Sequence, residues 1–152
     1  MQIVIAAIGK MKSGPERTLF DHYAGRLPWK ISVKEHEIKK ALEDAARKER
    51  EGELLLAACE DCDHVIALDE HGETMSSQSF ASHIRKVRDN GARKLAFVIG
   101  GADGLHAAVL KRAQLKLSFG RATWPHMLVR GLLAEQLYRV HTILTGHPYH
   151  RE

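Results

Sequence analysis

Two stretches of this chain set chemically capable residues at spacings that packing alone does not explain. The run Thr123-x-Pro-His-x-Leu-x-Arg130 places a loop proline and a histidine ahead of a broadly apolar segment, and His147-Pro-Tyr-His-Arg-Glu152 makes a cationic, aromatic tail. Aromatic faces stack on nucleobases, cations contact phosphates and a histidine can accept a proton. A third stretch has little side-chain chemistry at all. Leu95-Ala-Phe-Val-Ile99 runs straight into Gly100-Gly101-Ala-Asp-Gly104, where a ligand could approach the main chain closely because glycine has no side chain. The same residues also suit a tight turn.

The glycine loop excludes two familiar phosphate sites. A P-loop needs Lys and then Ser or Thr after its last glycine, but Leu105-His106 follows here. The dinucleotide spacing Gly-x-Gly-x-x-Gly is also unmet, since the order is Gly-Gly-x-x-Gly. Cys59-Glu-Asp-Cys62 lacks the second pair that a four-ligand zinc site requires, with His64 the one further ligand nearby. Glu60 and Asp61 should raise the thiol pKa values, which suits reduced structural cysteines and not a redox pair. No metal site is expected.

The elements that must position these residues follow from periodicity. Apolar runs near 2–8, 31–38, 64–69, 94–99 and 115–118 read as strands and alternate with amphipathic segments, the pattern of an α/β fold with a mostly parallel sheet. Pro15 can open a helix through Leu19, Phe20 and Tyr23, and 39–59 reads as a second, surface-facing helix dense in both charges. Ser76 or Ser77 can cap a third with Phe80, Ile84 and Val87 on one face, stopped by Asn90-Gly91; Leu105 to Ala113 makes a short fourth. From Met127 to Leu144 apolar residues cover more than one stripe, so this helix is expected to be buried on two sides, within the monomer or against a second copy.

With 152 residues and 44% apolar composition, one domain spanning 1–152 with a single core is expected. The apolar start is too short to span a bilayer and lacks a basic leader, so no membrane or export segment is expected and the cytoplasm is the expected compartment. Twenty-three Lys and Arg against nineteen Asp and Glu give +4, which favours a polyanionic partner but also fits a solvated basic surface. Basic residues gather at His83, Arg85, Lys86, Arg88, Arg93 and Lys94, and again at Arg139, His141, His147, His150 and Arg151.

The combination Ile99-Gly-Gly-Ala-Asp-Gly-Leu105, Leu117-Ser118, Thr123-x-Pro-His-x-Leu-x-Arg130, Glu135-Gln-Leu-Tyr-Arg139, Thr142-Ile143 and Gly146-x-Pro-Tyr-His-Arg151 resembles the RlmH-type ribosomal RNA methyltransferases of the SPOUT class. Gly9-Lys-Met-Lys12, Tyr23 and Arg26 fit the same class, so the resemblance runs the length of the chain. It implies a SPOUT-type parallel sheet flanked by helices, with the C-terminal segment threaded into a trefoil knot, and a homodimer. Knots are otherwise essentially absent from folds, so the resemblance alone carries that expectation. It further implies S-adenosylmethionine as methyl donor and N3 of a pseudouridine in 23S ribosomal RNA, met within the ribosome, as acceptor.

On this resemblance the cofactor would be held by Leu68, by Gly100 and Gly101, and by the loop Gly120, Arg121, Ala122, Thr123, Trp124 and Pro125. Such a cradle binds through main-chain amides and apolar walls. A cation beside a sulfonium is unhelpful, so the Arg121 side chain should point away. Arg130, Tyr149, His150 and Arg151 would face the RNA. His150 is a candidate proton acceptor, with His147 and His126 competing, and the sequence does not choose among them. The alternative reading is a nucleotide- or RNA-binding α/β module without catalysis. A hydrolase ranks far lower, because neither a Gly-x-Ser-x-Gly elbow nor an activated thiol is present.

Overall fold

The computed structural model describes residues 1–151. Five strands, β1 (Gln2–Ile8), β2 (Lys30–His36), β3 (His64–Thr74), β4 (Lys94–Ile99) and β5 (Leu115–Ser118), form one sheet in the order β2-β1-β4-β3-β5. Every pairing is parallel. Helices α1 (Pro15–Ala24), α2 (Asp44–Ala58), α3 (Ser77–Asp89), α4 (Ala107–Arg112) and α5 (His126–Thr145) connect and cover the strands, and a 3-10 turn, Pro148–His150, ends the chain's regular structure.

Alternation along the strands divides the core into two layers. Ile3, Ile5, Ala7, Leu95, Phe97 and Ile99 face Phe20 of α1, Phe80 and Ile84 of α3 and Leu133 and Leu137 of α5. Val4, Ala6, Ile8, Ala96 and Val98 face the other way, toward Leu55 and Ala58 of α2 and Val109 of α4. Because both faces are covered, the central strands are apolar at almost every position instead of at alternate ones. The 127–144 segment is buried as expected on its α1 and α3 sides, where Gly131 allows Leu19 to approach so closely that an added Cβ would lie 2.7 Å from Leu19 Cδ2.

Several boundaries differ from the sequence reading. The second strand ends at His36, and α2 starts at Asp44 and not at 39. Ser76 is the cap of α3, its hydroxyl accepting from the Ser79 amide at 3.1 Å. The largest difference is in β3, which continues to Thr74. Leu117 of β5 pairs with both Leu68 and Glu73, so residues 69–72 leave and rejoin the ladder around a single β5 residue. Gly72 permits this: a Cβ there would lie 2.6 Å from the main-chain carbonyl carbon and oxygen of Lys116. Hydrophobic alternation reports which face a residue takes, and it carries no signal for such an excursion.

Arg130 is buried, at 1% exposure, between β1 and α5. Its Nη2 donates to the carbonyls of Ile8 and Gly9, each at 2.8 Å, and its Nη1 to Glu35 Oε2 at 3.3 Å. Glu35 also accepts from the Met11 amide at 2.5 Å. The expected phosphate contact by Arg130 is therefore corrected: its guanidinium closes the carboxyl end of β1, where unpaired carbonyls would otherwise be left without donors.

Candidate active site

At the carboxyl ends of β3, β4 and β5 three loops enclose one cavity of about 630 Å³, within the range of about 300–1,000 Å³ usual for small-molecule sites. Leu68, Asp69 and Glu70 come from β3, residues 99–105 from the end of β4 and the glycine loop, and Leu117, Phe119, Gly120 and 122–126 from β5 and the loop leading into α5. The loops after β3, β4 and β5 thus meet at one place. All of the residues expected to hold a cofactor line the cavity except Arg121, which is exposed and absent from its wall.

The main chain shapes the wall. Gly101 bridges to Gly104, closing a tight loop, and a Cβ on Gly100 would lie 2.8 Å from the Gly104 carbonyl oxygen. Opposite, Ser118 Oγ accepts from the Gly120 amide at 3.1 Å and lies 3.0 and 3.1 Å from the carbonyls of Gly120 and Glu70. One hydroxyl thereby ties the loop after β5 to the excursion after Leu68. Trp124 Nε1 donates to the Phe119 carbonyl at 3.3 Å, folding that loop back on itself, while its ring stays 43% exposed. Phe119, Gly120 and Trp124 also border an adjoining hollow of about 520 Å³ between α3 and α5.

The charge of the wall is one-sided. Asp69, Glu70 and Asp103 line the cavity, and no lysine or arginine does. Behind the wall Arg47 pairs with Asp103 at 3.0 Å, so Asp69 and Glu70 carry the uncompensated charge; a phosphate would be disfavoured beside them and a ligand carrying positive charge favoured. His126, the first residue of α5, completes the wall, and burial, then the Arg130 cation, lower its pKa below the ordinary histidine value. At neutral pH its imidazole is uncharged and can accept a proton.

The tail lies elsewhere. Tyr149 packs on Tyr138, with ring centroids 4.7 Å apart; its hydroxyl donates to Glu135 Oε1 at 3.0 Å and lies 3.3 Å from that of Tyr23. Arg139 stacks over its ring and donates to Glu135 at 2.6 Å. Burial first, then these hydrogen bonds, push the Tyr149 hydroxyl well above the usual tyrosine pKa, so it stays protonated. The expectation that Tyr149 offers a free stacking face is corrected: its half-buried ring is occupied by Tyr138 and Arg139 of its own protomer, while His147, Pro148 and Arg151 are exposed and His150 is half-buried. The turn after α5 folds back onto the helix, so Tyr149 lies against Glu135, Tyr138 and Arg139, about 14–20 Å along the axis from His126 at 1.5 Å per residue.

The cysteines are free and buried, and burial is the largest cause raising both thiol pKa values. Asp61 adds to this and Glu60 does not, so the expected direction holds with a different main cause. Among the described residues no group of three or more metal-ligating side chains occurs, and no helix is long and apolar enough to cross a membrane. Sequence reasoning missed Asp69, Glu70 and Asp103 as cavity residues, although all three directly follow or interrupt the motifs it used. It also missed Glu51 of α2, which lies behind the glycine loop.

A family described as "Predicted SPOUT methyltransferase" matches residues 1–150. The chain is 56% identical over 151 residues to a protein of Paramagnetospirillum magneticum and 50% identical to one of Rhodospirillum centenum, covering 99% of each chain in both cases. Both relatives are named ribosomal RNA large subunit methyltransferase H. Among solved structures, a probable methylase family protein from Haemophilus influenzae Rd KW20 superposes with a TM-score of 0.60 at 14% identity, covering 99% of this chain and 70% of that one. TrmJ from Z. mobilis ZM4 superposes at 0.50 and 10% identity, covering 91% and 68%. The two structures support the fold; the family match and the full-length relatives establish that the chain belongs to the SPOUT methyltransferases.

Proposed function

We propose that the chain, acting as one domain over residues 1–152, transfers a methyl group from S-adenosylmethionine to ribosomal RNA of the large subunit, at N3 of a pseudouridine in 23S RNA within the cytoplasmic ribosome. The observation that carries this reading is the cavity's wall: main chain and apolar side chains with no lysine or arginine and three carboxylates, of which Asp103 is paired with Arg47 behind the wall. It fits a donor with a flat adenine, ribose hydroxyls and a positively charged sulfonium, and it disfavours a phosphorylated nucleotide. That difference ranks catalysis above a nucleotide-binding module. The relatives' names support the choice of substrate.

When bound, S-adenosylmethionine supplies an already activated methyl group. The chain's own share is alignment and removal of the imide proton. Leu68, Ile99, Leu105 and Leu117 would hold the adenine between apolar walls, Asp69 and Glu70 would accept from the ribose hydroxyls, and Trp124, which borders both hollows and is 43% exposed, would offer its ring to a base. Fixing two reactants in a near-attack arrangement can supply on the order of 7–11 kcal/mol, more than the roughly 10²–10⁴-fold of one general base. His126 is the cavity's own proton acceptor.

The tail packs on the 135–139 stretch of its own α5 and contributes nothing to the wall of its own cavity, which favours a homodimer in which His150 and Arg151 of one protomer serve the cavity of the other. Leu128, Leu132, Ile143 and Leu144 of α5 are only half-buried in the protomer, leaving apolar surface for a second copy. The threading of the C-terminal segment into a knot belongs to the same proposal, and the embrace of Leu117 by residues 68–73 supports it.

Titration calorimetry with S-adenosylmethionine tests the cofactor: stoichiometric binding to the wild type, lost in Gly101→Val, is expected, and a wild type that binds none ends the proposal. Mass spectrometry of ribosomal RNA from cells with and without the protein tests the base. Mixing Gly101→Val with Arg151→Ala chains tests the shared site, since only a shared site lets two inactive proteins restore activity in a mixed dimer.

A further inference from the structure

Helix α2 meets the glycine loop and the residue that follows it at three points. Arg47 donates to Asp103 Oδ2 from Nη2 at 3.0 Å and from Nε at 3.2 Å. One turn on, Glu51 is buried at 6% exposure, with its two carboxyl oxygens 3.3 and 3.4 Å from the place a Cβ on Gly101 would occupy. The next residue, Gly52, makes room for His106, whose Cβ lies 2.9 Å from the corresponding position. Arg47 and Glu51, at i and i+4, share a helix face, and Gly52 follows about 100° further round, so this side of α2 acts as a rail along the loop.

Glu51 is the unusual member. Its Oε2 is buried without a hydrogen-bond partner, a costly state for a carboxylate. Burial first, and the charge of Asp103 next, raise its pKa; Arg47 opposes them, and from β1 the apolar Ile8 fills the same space behind Gly101. Glu51 does not line the cavity, so it meets no ligand directly. Gly101 and Glu51 form a complementary pair in which the glycine leaves the space that the carboxyl group fills.

We infer that Glu51 is a positioning residue for the cofactor pocket: its buried carboxyl group fills the space behind Gly101 and props the 100–104 loop in the shape that lines the cavity. Gln in its place keeps the shape; Ala leaves a void behind the loop, and Asp withdraws the carboxyl group by one methylene. The inference rests on the cavity being the methyl donor's pocket.

The test compares Glu51→Ala, Glu51→Asp and Glu51→Gln with Glu53→Gln, an exposed position on the same helix. The readouts are the S-adenosylmethionine Kd by calorimetry, kcat on ribosomes and amide exchange of residues 100–105. Glu51→Ala should raise Kd at least tenfold, leave kcat at saturating donor within twofold and speed exchange in the loop. Glu51→Asp should move the same way by at least fivefold and stands in should the alanine variant not fold. Glu51→Gln should return Kd and exchange to within threefold of wild type, and Glu53→Gln should match it. Unchanged Kd in the alanine or aspartate variant, or a glutamine variant as impaired as alanine, overturns the inference. If the wild type binds no S-adenosylmethionine, the cofactor proposal falls, and loop exchange alone still decides for or against Glu51.

Discussion

The two ends of α5 are built from different materials. At the His126 end the cavity is made of main chain: glycine turns, one serine tying two loops, and apolar walls. In the C-terminal part, where the tail folds back onto α5, it is held by side chains, with Tyr23, Glu135, Tyr138, Arg139 and Tyr149 in one aromatic and ionic cluster. A main-chain site tolerates little change in backbone shape but asks for few particular side chains. A side-chain cluster is the reverse, since each contact is modest and removable. The difference separates holding a small donor from presenting a cationic surface to a large acceptor.

Breaking the anchor between β1 and α5 should have the largest effect. Arg130→Ala leaves the carbonyls of Ile8 and Gly9 and the Glu35 carboxylate without their buried cation, and urea denaturation should show a loss of about 3–5 kcal/mol. A loss under about 1 kcal/mol would mean that water takes over these contacts. Next in size, Gly100→Ala forces a methyl group to within 2.8 Å of the Gly104 carbonyl oxygen and should weaken donor binding at least tenfold, about 1.4 kcal/mol, by calorimetry. Donor affinity equal to wild type would show that the loop is more plastic than its geometry implies.

Tyr149→Phe sharpens the contrast from the other end. Losing the bonds to Glu135 and Tyr23 should lower stability by about 0.5–1.5 kcal/mol and slow turnover on ribosomes while leaving donor Kd unchanged. A shifted donor Kd would mean the two ends are not independent.

The smallest effect should come from a site belonging to neither end. His64 and His83 sit with their Nε2 atoms 3.2 Å apart, and burial is the main cause lowering both pKa values. The unfolded chain therefore takes up protons first as pH falls below about 6.5, so stability should be full above that pH and decline as pH drops toward the lowered folded values. Urea midpoints at pH 7.5 and 5.5 check this, and His83→Asn should flatten the profile without altering donor affinity at pH 7.5.

Legibility in the sequence followed the range of the interaction. The strands and helices were readable because alternation and capping are local, as with Ser76 before α3 and the apolar 94–99 run before Gly100. The cavity loops were readable through the family motif, and Arg121 alone stands outside the wall. Arg130 and Tyr149 were misread because a cation and an aromatic look the same in sequence whether they face RNA or the protein's own interior. Glu51 was hidden in a charge-rich helix, where one buried carboxyl group has no local mark.

By itself the chain's order of residues determined the parallel α/β layering, the glycine turn after β4 and the family, since each depends on neighbours or on a contiguous motif. Only the tertiary structure decided that three loops enclose one cation-free cavity, that residues 69–72 loop around Leu117, that Arg130 turns inward and that Glu51 stands behind Gly101. Those facts join residues as far as 121 or 122 positions apart, as in the bonds from Arg130 to Gly9 and Ile8. Pairing at that separation is fixed by how layers pack and not by any periodicity along the chain.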